Sequence, residues 1–214
     1  MPSSLEASLD GLLTEVRACR VCASALPLGP RPIVRGRVTA CILIAGQAPG
    51  VKVHQTGVPW NDPSGDRLRA WMQVDRETFY DEARIAIIPT GFCYPGRAAK
   101  GDLPPRKECA QIWLPRLLRH LPNIRLTLLC GRFAQRLHLG ARMKNSLAET
   151  VRAWREYAPE FFPLPHPSSR NVGWFEKNSW FAAEVLPGLR CAVQTVLGSA
   201  EPGYAAFRPD TSFG

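Results

Sequence analysis

Residues 41–50 read Cys-Ile-Leu-Ile-Ala-Gly-Gln-Ala-Pro-Gly, an unbroken apolar run emptying into a glycine- and proline-bounded turn. A run that is apolar at every position, rather than alternating, predicts a strand buried on both faces, as in a parallel sheet covered by helices. Ile85 to Ile88 and Leu126 to Cys130 repeat the pattern, and a weaker run, Phe161 to Leu164, stands just before His166. Between them the apolar residues fall at helical spacing. Leu5, Leu9, Leu12, Leu13 and Val16 mark a first helix, and Leu68, Trp71 and Met72 another after Ser64 as N-cap. Ile112, Leu117, Leu118 and Leu121 mark a third, bent or interrupted at Pro115, and a last helix runs from about Phe175 to Cys191 with a break near Pro187. Strands alternating with helices predict a three-layer α/β/α domain around a mainly parallel four-stranded sheet.

In such sheets ligands bind beyond the carboxyl ends of the strands, so the loops leaving them should converge on one crevice. The first is Gly46-Gln47-Ala48-Pro49-Gly50, whose glycines let backbone approach a ligand closely. It continues into Thr56-Gly57-Val58-Pro59-Trp60-Asn61-Asp62-Pro63-Ser64-Gly65. There Trp60 can stack on a planar ligand or fill the core, and Asp62 can hold or deprotonate water or simply cap a helix. The second strand leads into Pro89-Thr90-Gly91. The fourth leads into Pro165-His166-Pro167-Ser168-Ser169-Arg170-Asn171, where two prolines fix the direction of the histidine. A histidine held at a strand end can donate a hydrogen bond to a developing anion, and the Ser and Arg after it can reach phosphates.

The chain of 214 residues suits one domain, residues 1–197, with a loosely attached Gly- and Pro-rich tail over 198–214. Hydrophobic residues make up 45% and charged residues 21%, ordinary for a folded protein, but the net charge of +9 and pI near 9.6 favour a polyanionic partner. No run of about 20 apolar residues is present to span a bilayer. The polar start, Met1 to Asp10, lacks the pattern of a secretory signal, so a cytoplasmic protein is expected. Seven cysteines in a reducing compartment point to metal ligands, catalysis or buried thiols. Cys19-Arg20-Val21-Cys22 lets two sulfurs reach one centre from a single turn, and Cys93 and Cys109 flank a charged, Pro/Gly-rich loop that a metal could staple. An iron–sulfur cluster, zinc and free thiols all fit that pattern. Cys41, Cys130 and Cys191 read as bystanders.

The turn Gly46 to Gly50, the stretch Thr56-Gly57-Val58-Pro59-Trp60 and the His166-Pro167-Ser168 loop, in this order, resemble the signature motifs of the uracil-DNA glycosylase superfamily. The resemblance covers roughly residues 15 to 180 and is nearest to its iron–sulfur branch, family 4. That branch has a Cys-x-x-Cys pair before the first strand and two later cysteines with 15 residues between them, the separation of Cys93 and Cys109. The resemblance implies a [4Fe-4S] cluster on Cys19, Cys22, Cys93 and Cys109, and a DNA repair enzyme that flips a damaged base into a pocket and hydrolyses its glycosidic bond. On this reading His166 stabilises the departing base while Asp62 or Gln47 positions water. Gly46, Ala48, Trp60, Asn61, Pro89 and Thr90 surround the base. Ser64, Arg67, Ser168, Arg170 and Asn171 meet DNA, together with Arg69 and the loop residues Arg97, Lys100, Arg106 and Lys107. A monomer is expected, since duplex DNA must reach the crevice. The chain departs from the family at Gln47 (usually Glu), at Trp60 (Phe) and at Pro89, where the family has the asparagine that reads the uracil edge. A proline has no amide side chain, which leaves the preferred base open. It also keeps alive a DNA-binding module of the same fold that traps a base without turnover; a small-molecule hydrolase of nucleosides or sugar phosphates would use the same crevice.

Overall fold

The computed structural model describes residues 4–99 and 101–198. Four strands, β1 (Ile42–Ala45), β2 (Ile85–Ile87), β5 (Leu126–Cys130) and β6 (Phe161–Leu164), form one parallel sheet in the order β2-β1-β5-β6. Two further short strands, β3 (Arg97–Ala98) and β4 (Gly101–Asp102), make a small antiparallel hairpin. The helices are α1 (Ser4–Arg17), α2 (Val51–Thr56), α3 (Pro63–Met72), α4 (Arg76–Tyr80), α5 (Lys107–Ile112), α6 (Leu114–Arg119), α7 (Arg132–Leu139), α8 (Leu147–Arg152), α9 (Val172–Lys177) and α10 (Leu186–Gly198).

Every residue of the four sheet strands is buried, which is why none of them alternates in sequence. Successive side chains still point to opposite faces. Ile42, Ile44, Ile87, Leu128 and Phe162 pack on Leu68, Met72, Val151, Leu189 and Val193, which belong to α3, α8 and α10. Leu43, Ala86 and Ile88 pack on Leu9, Leu12, Leu13 and Val16 of α1 and on Leu114 and Leu117 of α6. Ala45 and Leu129, on that same side, meet α7 through Ala134 and Leu139. The three expected layers are present. Among the described residues no helix is long and apolar enough to cross a membrane.

The structure sharpens the sequence-based boundaries and corrects one. The N-cap of α3 is Asp62, not Ser64; its carboxylate accepts the Gly65 amide at 2.9 Å, and Pro63 occupies the first turn, where its missing N–H costs nothing. The helix expected to bend or break at Pro115 is interrupted there, as two helices, α5 and α6, and Pro115 again lies in a first turn. The break expected near Pro187 is present: a wide helical turn over Phe181–Val185 gives way to α10 at Leu186, and Pro187 stands in the first turn of α10. The β3–β4 hairpin has no counterpart in the sequence reading. Lys100 and residues 199–214, including nearly all of the expected tail, lie outside the described residues.

Candidate active site

All four sheet strands point the same way, so their carboxyl ends share one edge. β1 pairs with β2 on one side and with β5 on the other, which makes this edge a topological switch point. A cavity of about 520 Å³ opens there, lined by Gly46, Gln47, Ala48, Trp60, Asp62, Ser64, Pro89, His166, Ser168, Arg170 and Asn171 among others. The segments carrying Gln47, Trp60/Asp62 and His166 therefore face one cavity. Gly131, at the end of β5, explains how closely they approach. Its φ is +91°, and a methyl group there would sit 2.8 Å from the Gln47 amide nitrogen and 3.2 Å from His166 Cβ. Only glycine leaves room for both side chains.

The His166 and Trp60 rings stack, with centroids 5.6 Å apart and planes 28° from parallel. The indole thus backs the imidazole directly while also lining the cavity. Burial pushes the His166 pKa down to about 4, helped by the Arg170 charge and opposed by Asp62. At neutral pH the ring is uncharged, with one N–H donor and one acceptor. Among the described residues neither ring nitrogen has a hydrogen-bond partner. Asp62 spends one carboxylate oxygen on the Gly65 amide and also lines the cavity.

Other expected site residues are engaged elsewhere. The Asn61 side-chain oxygen accepts from Arg76 at 3.1 Å, away from the cavity. Both the Thr90 amide and its hydroxyl bind the Gly46 carbonyl, at 2.9 and 2.8 Å, so Thr90 braces the first turn. Arg67 donates to the Pro167 carbonyl at 3.1 Å and Asn171 to the His166 carbonyl at 2.7 Å. Arg69 is only 7% exposed; it contacts Asp66 and the Trp60 carbonyl and lies over the Phe79 ring, out of reach of a phosphate. Conversely, Lys52, Tyr94, Arg97 and Asp102 line the cavity. Of these the sequence reading had only Arg97, as a DNA contact. Tyr94 stands beside Cys93 and Asp102 ends the hairpin, positions without a periodic signal.

The four expected ligand cysteines also come together. Cys19, Cys22, Cys93 and Cys109 line one small cavity with Arg106 and Trp113. The Cys109 sulfur accepts the Phe92 amide at 3.4 Å, and the buried Trp113 Nε1 and Arg106 Nε donors have no partner. Burial raises the thiol pKa values of Cys22 and Cys93, and that of Cys109 to about 11. Among the described residues no three His, Cys, Asp or Glu side chains converge tightly enough for a single metal ion. Cys41 and Cys130 are buried in the sheet region, and Cys191 is exposed on α10.

Parallel strands, a crevice at their carboxyl edge and the order of the three loops that line it agree with one family. A sequence profile of the uracil DNA glycosylase superfamily matches residues 34–190, most of the chain, and the protein belongs to that superfamily.

Proposed function

We propose that the protein is a DNA glycosylase that extrudes a damaged nucleotide, with uracil as the leading substrate, and hydrolyses its N-glycosidic bond. The observation that carries this reading is the single cavity in which Gln47, Asp62 and a neutral, cavity-facing His166 meet. A stacked base is out of reach inside duplex DNA, so it enters this cavity flipped. As the bond lengthens, its electron pair moves onto the departing pyrimidine, and the His166 N–H donates to the oxygen where that charge gathers. Asp62 or Gln47 holds the water whose oxygen bonds to the sugar carbon, and the proton that water loses neutralises the freed base. Ser64, Ser168 and Arg170 at the cavity, with Arg97 on the hairpin, hold the flanking phosphates, which suits a chain of net charge +9 acting as a single copy.

In the same reading Cys19, Cys22, Cys93 and Cys109 hold a [4Fe-4S] cluster, as in family 4. Four thiols around one cavity, an N–H directed at a sulfur and two orphaned donors beside it suit a cluster, whose sulfurs accept hydrogen bonds. When bound, it would order the Cys93–Cys109 segment that presents Arg97, Arg106 and Lys107. Iron analysis and visible absorption of protein purified without oxygen test this assignment, with Cys109→Ser as the control expected to lose both signals.

Pro89 lines the cavity without a side-chain amide and favours a second reading, in which the protein grips a damaged base without releasing it. One assay separates the two. A uracil-containing oligonucleotide incubated with the protein acquires alkali-labile abasic sites if the base is excised, and is retained intact if it is only trapped.

A further inference from the structure

His166 lacks the usual means of holding a histidine in one orientation. In many sites a carboxylate or carbonyl on one ring nitrogen aims the other; here neither ring nitrogen has a partner among the described residues. Its loop is also short of backbone donors, because Pro165 and Pro167 carry no N–H. The loop is held by its carbonyls instead. Leu164 O, at the end of β6 where the loop begins, accepts from the Gly131 backbone amide and from the Gln135 side-chain amide of α7, each at 2.9 Å; His166 O accepts from Asn171 at 2.7 Å, and Pro167 O from Arg67 of α3 at 3.1 Å. Gln135 is completely buried and leaves its own oxygen without a partner, a cost that an apolar side chain of similar size would avoid. The Arg67 guanidinium is further fixed over the Phe175 ring, 5.6 Å from its centroid.

We propose that Arg67, Gln135 and Asn171 are positioning residues that aim His166 through its backbone, and that Arg67 does not contact DNA phosphate. The inference rests on base excision as the function. It places the direction of the imidazole under three side chains from three separate parts of the chain, with the Trp60 stack closing the remaining side.

The test separates aiming from binding. Single-turnover excision at saturating protein is measured on a uracil-containing oligonucleotide, alongside the Kd of a non-cleavable analogue across a series of salt concentrations. Arg67→Met and Asn171→Leu should lower the saturating rate on the order of 10-fold or more, since small misplacements of a reacting group are that costly. Their Kd and its salt slope should match the unaltered protein, and Arg67→Lys, which keeps a donor, should recover much of the rate. Arg170→Met should do the reverse, weakening binding and flattening the slope by about one. Melting curves show which variants are folded, and Asn171→Leu carries the test if Arg67→Met is not. Unaltered saturating rates in both variants would overturn the proposal, as would a slope flattened by about one in Arg67→Met with its rate spared. If the unaltered protein releases no base, it is the excision reading that fails.

Discussion

Asp62 carries two duties that its chemistry allows to be separated. As the N-cap of α3 it satisfies the Gly65 amide, and as a cavity residue it is proposed to hold water through its carboxylate. Asn caps helices about as well as Asp. Asp62→Asn should therefore melt like the unaltered protein while excision falls by about 10²-fold or more. Asp62→Ala should lose about 1 kcal/mol of stability as well. Full excision by Asp62→Asn would reduce the residue to a cap. At this scale the sequence was readable where geometry is local: two prolines bracket His166, and glycines bracket Gln47. It was unreadable where a side chain's partner lies far along the chain. Arg69 and Arg67 read as cations free for phosphate, yet Arg69 is taken up by the Asp66 carboxylate at 2.6 Å and the Trp60 carbonyl, and Arg67 by the Pro167 carbonyl. Asn61 and Thr90 likewise sit beside true cavity residues in sequence, but are turned to Arg76 and Gly46.

Among the elements, α3 controls most of the site. Its N-cap is Asp62, Arg67 holds the histidine loop and Arg69 holds Trp60, which has an unusual φ of +56° for a side-chain-bearing residue. A methyl group added at Gly65 would stand 1.8 Å from the Trp60 carbonyl oxygen, so helix and loop cannot keep their contact around it. Gly65→Ala should destabilise the fold on the order of 3 kcal/mol, read by chemical denaturation, and depress excision in whatever remains folded. A variant as stable as the unaltered protein would show that this close approach is dispensable. The sheet strands were legible because complete burial leaves nearly unbroken apolar runs, with only Thr127 polar among them. The β3–β4 hairpin was not: two-residue strands of Arg, Ala, Gly and Asp bury nothing that would mark them. Pro187 marked the break between the wide turn over Phe181–Val185 and α10, because a residue without an N–H is comfortable only in a first turn.

The whole molecule joins a basic chain, of net charge +9, to an interior that keeps its histidines neutral. Burial lowers the pKa of His138, as of His166, to about 4. An unfolded chain protonates both near the ordinary 6.5. Between these values the unfolded state binds more protons, so their contribution to stability is complete above about pH 6.5 and is lost as pH falls toward 4. The melting temperature should decline over that window, and less steeply in His138→Gln; an undiminished decline in that variant would remove His138 from the account. The central claim concerns chemistry in the cavity, and free-base release under single-turnover conditions addresses it most directly. Unaltered protein and His166→Ala are each saturated with a uracil-containing oligonucleotide and the liberated base is quantified. The account predicts stoichiometric release by the first and a loss on the order of 10²-fold or more in the second, with DNA affinity retained. Equal release by both proteins would contradict it.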